Sequence, residues 1–457
     1  MDALITHATT PLRGTLTLPA DKAICHRAAF LCALATGTTT IRPWSIAEDC
    51  QRTLDVLQGL GVRIARVSDG IQVTGVGLTG LRAPTATLDC GDSGTTMRLS
   101  CGLLAGQPFV SRLAAGPSLS TRPMQRVIEP LSQMGARFEG TTGPHDVYPP
   151  LVITGRRPLQ GLAYAMPIAS AQVKSAILLA GLYAKEPTTM TEPVPTRDHT
   201  ERLLAILGVS VRQKRKTVTL EPPQGALVAP DHLTIPGDPS SAAFFLVAAA
   251  IIPGSRVVIE HVGLNESRIA FLEILKRMGA SVRWEVQDQS WEPRGTVTVE
   301  YHPLRATTIE PRDVPRLIDE LPILMVAACA AEGSTRFEGL AELRVKETDR
   351  LRAITTGLRK LGARLETSGD ASVTIARGPL QGTSVDSFQD HRTAMSLAIA
   401  GLLAAGSTRI SSAECVRKSL GNFFELLAAV ATPSSVTLVD ASPACDVDPA
   451  PSRDRPE

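Results

Sequence analysis

Ten basic residues stand in or beside short polar clusters that lead into Ala/Leu-rich runs: Lys22, Arg27, Arg98, Arg122, Lys174, Arg197, Lys346, Arg350, Arg392 and Lys418. The clusters are Asp21-Lys22-Ala23, Asp92-Ser93-Gly94-Thr95-Thr96, Ser170-Ala171-Gln172, Gly237-Asp238-Pro239-Ser240-Ser241, Asp319-Glu320 and Asp390-His391-Arg392. A polar cluster before such a run predicts the start of a helix. A helix start offers unpaired N–H groups and a partial positive charge, so it favours anions. Several such starts directed into one cleft, with Arg and Lys beside them, would hold a small substrate carrying two or more anionic groups. Each element alone has a plainer reading. Asp21 or Asp92 could be an ordinary helix cap, and so could Gln172. Lys346-Glu347-Thr348-Asp349-Arg350 could be a solvated helix face, His391-Arg392 a surface pair and Lys418 a surface lysine. It is the joint placement at equivalent points of a repeat that favours the anion site.

The repeat has six copies. In each, the polar cluster leads into an apolar run, then a small-residue turn, then a β-branched segment. Ala28 to Leu31, Ala35-Thr36-Gly37 and Thr38 to Ile41 make the first copy, and Ala394 to Ala405 followed by Gly406-Ser407-Thr408 the last. A second signature interleaves with it: a helix-like stretch closing on Gly, as in Leu60-Gly61-Val62, Met134-Gly135-Ala136, Leu207-Gly208-Val209, Met278-Gly279-Ala280 and Leu361-Gly362-Ala363. Gly there suits the left-handed residue just past a helix end. The sixth copy, around Phe423 to Val430, has Ala428-Ala429 where the Gly belongs. A period of about 70–80 residues marks small α/β modules, not a solenoid. Helices apolar nearly all round are expected to lie inside, packed on sheets. The Pro-Gly break at Ile235-Pro236-Gly237-Asp238, with Pro19-Ala20 as its counterpart, favours two groups of three modules.

Composition agrees with a large globular chain. Of 457 residues, 43% are hydrophobic and 20% charged, which supports a sizeable core and excludes disorder as the main state. A net charge of +2 with 4% aromatics argues against a nucleic-acid or membrane partner. The eight cysteines form no CxxC pair and several sit in apolar runs, so they read as buried thiols in a reducing compartment. The longest apolar run, Ala242 to Ile252, is too short to span a bilayer, and Met1 to Ile5 shows no secretory signal. The expected location is the cytoplasm, and the expected state a monomer. The segment 438–457, rich in Pro, Asp and Ser, is expected to be a disordered tail.

Six segments carry a resemblance to a known family. Asp21-Lys22 with His26-Arg27, Gly94-Thr95-Thr96-Met97-Arg98, Ser120-Thr121-Arg122-Pro123-Met124, Ser170-Ala171-Gln172-Val173-Lys174-Ser175, Arg344 to Arg350 (RVKETDR) and Asp390 to Met395 (DHRTAM) resemble 5-enolpyruvylshikimate-3-phosphate synthases. The likeness is strongest to the class II bacterial form, through Pro236 to Ser241 and Thr196-Arg197-Asp198-His199-Thr200. It covers about residues 10–437 and implies an α/β fold of two inside-out α/β barrel domains, each of three βαβαββ units, closing on substrate. The domains would be residues 1–19 plus 238–437, and 20–237. The implied reaction moves the enolpyruvyl group of phosphoenolpyruvate to the 5-hydroxyl of shikimate 3-phosphate and releases phosphate, with no metal or organic cofactor. Both substrates carry a carboxylate and a phosphate, which suits the cation-rich clusters.

The resemblance also implies residue roles. Asp319, Glu347 and Lys22 would be catalytic. Asp319 would hold the ring hydroxyls and act as base, while Glu347 and Lys22 would handle protons at the enol carbon. Shikimate 3-phosphate would meet Lys22, Ala23, Arg27, Ser170, Ala171, Gln172, Arg197, Asp319 and Lys346. Phosphoenolpyruvate would meet Lys22, Gly94, Arg122, Gln172, Arg350, Arg392 and Lys418, with His391 in support. The room beside Gly94 predicts inhibition by glyphosate, an anion competing with phosphoenolpyruvate.

Four positions depart from the family pattern. Ala23 replaces a Ser, Asp92 replaces an Asn and adds negative charge near an anion site, and Leu420-Gly421 replaces Phe-Pro after Lys418-Ser419 and should loosen that loop. A sister family, UDP-N-acetylglucosamine enolpyruvyl transferase, typically has a reactive Cys where this chain has Pro117, which disfavours it. A non-catalytic sensor of anionic metabolites is the alternative from another class. Retention of Lys22, Asp319 and Glu347 together argues against it.

Overall fold

In a computed structural model, residues 1–143 and 146–440 of the chain are described. The six polar clusters start six helices: Lys22–Leu34, Gly94–Ala105, Ala171–Gly181, Pro239–Ile251, Leu321–Ala330 and His391–Leu403. Five have a side-chain cap. Asp21, Ser93, Ser170, Asp238 and Asp390 accept from the backbone N–H of Ile24, Thr96, Val173, Ser240 and Arg392 respectively. The exception, Leu321–Ala330, has Glu320 at its N-cap without such a bond and Pro322 in its first turn. Pro fits there because its missing N–H has no helical partner to lose.

These helices are interior because no side of them is polar. Every residue of Pro239–Ile251 is buried, and so is every residue from Ile24 to Leu34. Burying a Leu, Ile, Val or Phe side chain stabilises by about 1.5–3 kcal/mol, so the apolar runs are strong determinants of the fold. The second signature ends outer helices such as Glu48–Gly59 and Arg350–Lys360. Its five glycines, Gly61, Gly135, Gly208, Gly279 and Gly362, all have φ between 82° and 109°, where a Cβ would be strained.

The strands form six four-stranded sheets. Five share one order. The strand that follows an interior helix is flanked by a parallel edge strand and by a hairpin whose second strand is the inner one. Val110–Ala114, for example, pairs parallel with Leu88–Asp89 and antiparallel with Val147–Thr154, which pairs with Arg137–Thr142. The sixth sheet departs from this. Its inner position is filled by the first strand of the chain, Asp2–Thr6, antiparallel to both Ser407–Ser411 and Val436–Val439. The helix-to-strand connection differs here too: the helix Phe423–Val430 exits through Ala431 in an extended conformation, and the short turn Pro433–Ser435 leads into Val436–Val439.

The chain divides into two units. One comprises Met1–Leu18, Gly237–Gln287 and the described chain from Arg294 onward; the other comprises Pro19–Pro236 and Asp288–Pro293. Each has three of the sheets and its own apolar core. Four details differ from the sequence reading. Pro19, expected in the first unit, falls in the second, and Gly237, expected in the second, falls in the first. Asp288–Pro293, expected in the first unit, groups with the second: Trp291 packs on the second core and its carbonyl accepts from Arg202 at 3.2 Å, and Glu292 meets His199 Nδ1 at 3.1 Å. Leu438 and Val439, expected in a disordered tail, are paired with Ala3 and Asp2. The remainder of that expected tail, from residue 441, lies outside the described residues.

Candidate functional site

In the second unit the expected residues gather at the starts of three interior helices. Lys22 opens its helix and pairs with Asp49 Oδ2 at 3.1 Å, both groups mostly buried. The Ala23 carbonyl accepts from Arg27 Nη1 at 2.8 Å. Arg27 is itself buried, and its Nε donates to Ser175 Oγ at 3.1 Å and Thr200 Oγ1 at 2.9 Å, while Nη2 reaches Ser175 Oγ and the Ala171 carbonyl. One guanidinium thus ties together the helices that begin at Lys22, Ala171 and His199. Gln172 donates from Nε2 to Thr95 Oγ1 and accepts from Arg98 Nη1, both at 2.9 Å. Arg98 also donates to the Pro123 carbonyl, beside Arg122. Gly94, Arg98, Arg122 and Gln172 therefore form one neighbourhood. Arg197 lies half-buried just before the helix His199–Ile206.

Asp92 is not a stray charge here. Its Oδ1 accepts from the backbone N–H of Ser118 at 2.9 Å and of Leu119 at 3.1 Å. It fastens the short turn Leu119–Thr121 that delivers Arg122, and Ser93 is the residue that caps the helix. Gly94 also reads differently in space. A Cβ built there would come within 2.6 Å of Arg122 Nη1 and 2.8 Å of Arg98 Nη1. The room beside Gly94 is occupied by guanidinium groups.

In the first unit Arg350 is the hub. Its side chain is 1% exposed, which removes the solvated-face reading of the RVKETDR segment. Nε meets Asp390 Oδ2 at 2.9 Å, Nη2 pairs with Glu347, and Nη1 lies 3.7 Å from Asp319 Oδ1. Burial alone would lower the guanidinium pKa, but Asp390, Glu347 and Asp319 raise it, so the charge is fixed. Arg392 approaches the same carboxylate, with Nε 3.3 Å from Asp319 Oδ1 and Nη1 donating to the Asp319 carbonyl at 3.0 Å. His391 and Arg392 are both buried, so they are not a surface pair. Lys346 pairs with Glu342 at 3.0 Å. Lys418 ends the short turn Ala413–Lys418, and the loop after it is not loose. Leu420 is fully buried, with its N–H on the Val416 carbonyl at 2.8 Å.

The two sets differ in chemistry. The second unit presents helix starts, hydroxyls and cations suited to an anionic ligand. The first places two carboxylates, Asp319 and Glu347, against one or two arginines, an arrangement able to move protons while holding negative charge. Sequence reasoning named Arg98 and Lys174 as cations but gave neither a task. Their partners lie 18 to 74 residues away, a distance that no local motif reports.

Comparison with known proteins agrees with these features. The family model for EPSP synthase (3-phosphoshikimate 1-carboxyvinyltransferase) matches residues 6–427. The 3-phosphoshikimate 1-carboxyvinyltransferase of Syntrophomonas wolfei is 46% identical over 425 residues, covering 93% of this chain and 98% of that one. That of Bacillus anthracis is 46% identical over 417 residues, covering 91% and 96%. The EPSP synthase structure from Acinetobacter baumannii superposes with a TM-score of 0.84 at 38% identity, covering 96% of this chain and all of that one. The enolpyruvyl transferase NikO from Streptomyces tendae, 18% identical with a TM-score of 0.75 over 94% and 97% of the two chains, shares the fold. With the family model and relatives matching along nearly its whole length, the chain belongs to the EPSP synthase, or 3-phosphoshikimate 1-carboxyvinyltransferase, family.

Proposed function

We propose that the protein transfers the enolpyruvyl group of phosphoenolpyruvate to the 5-hydroxyl of shikimate 3-phosphate and releases phosphate. The observation that carries this reading is the convergence of Glu347 and Asp319 on Arg350, within a family of that activity. The reaction is an addition followed by an elimination. Asp319 takes the proton of the 5-hydroxyl, and the oxygen attacks the enol carbon that bears the phosphate. The neighbouring methylene carbon gains a proton, from Glu347 or Lys22, and becomes a methyl group. A proton then leaves that methyl, the double bond re-forms, and phosphate departs. The acid and base are needed twice in opposite senses, which suits carboxylates held beside fixed cations.

Binding divides in the same reading. Shikimate 3-phosphate is held by Lys22, Ala23, Arg27, Ser170, Ala171, Gln172, Arg197, Asp319 and Lys346. Phosphoenolpyruvate is held by Lys22, Gly94, Arg122, Gln172, Arg350, Arg392 and Lys418. Arg350 and Arg392 supply forked donors that match carboxylate and phosphate oxygens. The Ala23 side chain brings no hydroxyl, so the shikimate carboxylate relies on its other partners. The protein is proposed to work as a monomer in the cytoplasm. The seven described cysteines are free thiols, which supports a reducing compartment.

Phosphate release from phosphoenolpyruvate, measured with and without shikimate 3-phosphate, tests the reading. Release that depends on the shikimate ester supports it. Tight binding of both compounds without turnover would establish a sensor instead.

A further inference from the structure

Lys174 is the fourth residue of the helix Ala171–Gly181, and its side chain is fully buried. Its ammonium has three donors. It donates to Glu192 Oε2 at 3.0 Å and to the Thr196 carbonyl at 3.3 Å, and it forms an ion pair with Glu201 Oε1 at 2.7 Å. The other Glu192 oxygen, Oε1, accepts from the Thr196 backbone N–H at 3.1 Å and from the Thr196 hydroxyl. Both backbone polar groups of Thr196 are therefore held by buried charged side chains. Removing two carboxylates and an ammonium from water costs several kcal/mol per ion, and packing alone would be served as well by apolar groups.

The position of Thr196 gives the expense a purpose. The segment before it, Pro193-Val194-Pro195, contains two residues without a backbone donor, so a ladder of main-chain hydrogen bonds cannot fix it. The residue after it is Arg197. Three residues further on, Thr200 Oγ1 accepts from Arg27. Arg197 thus sits on a short span anchored at Thr196 by Lys174 and Glu192, and at Thr200 by Arg27, while its own side chain stays half-exposed.

We propose that Lys174, through Glu192 and Thr196, is a positioning residue for shikimate 3-phosphate: it pre-sets the backbone from which Arg197 reaches the anionic ester. The proposal rests on the reading above that Arg197 binds this substrate. Without the clamp, the span must be ordered at the moment of binding, and apparent affinity falls by the fraction of molecules already in the competent arrangement. Phosphoenolpyruvate, whose proposed ligands do not include this span, is not affected in the same way. Glu201 touches the ammonium but not Thr196, so it balances charge without holding the loop.

The test is steady-state kinetics of the full chain with both substrates, together with calorimetric binding of shikimate 3-phosphate, for Lys174→Met, Glu192→Gln, Glu201→Gln, Arg197→Ala and the Lys174→Met/Arg197→Ala double variant. The clamp predicts that Lys174→Met and Glu192→Gln raise KM for shikimate 3-phosphate about tenfold, equivalent to about 1.4 kcal/mol, with KM for phosphoenolpyruvate within about twofold. Glu201→Gln should leave both values near those of the parent. The double variant should be no worse than Arg197→Ala alone. Should Lys174→Met fail to fold, Glu192→Gln against Glu201→Gln decides the matter. Equal shifts for the two substrates, equal effects of Glu192→Gln and Glu201→Gln, or multiplying effects in the double variant would each overturn the clamp. If Arg197→Ala weakens the shikimate ester and the clamp variants do not, only the clamp is lost. If Arg197→Ala changes nothing, the site reading fails with it.

Discussion

Arg350 and Asp390 are locked together in the interior of the first unit. Arg350 Nε meets one carboxylate oxygen at 2.9 Å, and the other oxygen caps the helix His391–Leu403 by accepting from the N–H of Arg392 and Thr393. One carboxylate thereby fixes the RVKETDR segment to the start of the helix that carries His391 and Arg392. Asp390→Ala removes the cap and one of the charges facing a fully buried guanidinium. Breaking such a pair costs about 3–5 kcal/mol, to be read as a fall in the urea midpoint of unfolding. Arg350→Ala should weaken phosphoenolpyruvate above all, seen as a rise in its KM larger than that for shikimate 3-phosphate.

Glu347 and Asp319 should separate chemistry from binding. Glu347→Gln and Asp319→Ala are expected to lower kcat by about 10²–10⁴, the usual worth of a general acid or base, with small changes in either KM. Full activity in Glu347→Gln would remove its proton role. A rise in KM alone would make Asp319 a binding residue only.

Gly94 is expected to act through Arg122. A methyl group at this position meets the ends of two flexible arginine side chains, so the helix can stay and the guanidinium groups must move. Gly94→Ala should raise KM for phosphoenolpyruvate and weaken inhibition by glyphosate, leaving KM for shikimate 3-phosphate little changed. Inhibition constants that are equal for the two forms would reject this account.

The buried trio around Lys174 gives stability a particular pH dependence. Burial alone would lower the Lys174 pKa, but Glu201 and Glu192 raise it above the ordinary 10.5. Its contribution is then fully present below 10.5 and is lost as pH rises through the higher folded value. Burial raises the Glu201 carboxyl above its ordinary 4.5 in spite of Lys174, so just above 4.5 the folded chain retains a proton that the unfolded chain has released. The Glu201 contribution therefore declines as pH rises through that window. Urea midpoints measured against pH should show a shallower alkaline loss in Lys174→Met, and in Glu201→Gln no decline of this origin on the acidic side. A parent and Lys174→Met with the same alkaline slope would refute the assignment.

The sequence revealed most where a structural rule is local. A capping side chain, a polar-to-apolar switch and a glycine past a helix end all act within a few residues, so all six interior helices and the five left-handed turns could be read directly. The likeness of motifs added Lys22 and Gln172 in one unit, and Arg350 and Arg392 in the other, as expected ligands of substrate. Hidden from it were the tasks set by distant partners. Asp92 read as an unwelcome charge because Ser118 and Leu119 are 26 and 27 positions away. Trp291 and Glu292 sit in a hairpin tip whose partners, Arg202 and His199, are 89 and 93 positions earlier. The guanidinium groups that fill the space beside Gly94 are hidden in the same way, because no rule of spacing says where a long side chain will fold back.

The first strand of the chain, Asp2–Thr6, lies between strands made from Ser407 onward and Val436 onward. During synthesis it is made about 400 residues before its neighbours exist. The unit from Pro19 to Pro236 has all its strands and interior helices within one unbroken stretch and can condense in the meantime. This strand is thus a closing piece: its sheet is sealed by residues made long before the two strands they join.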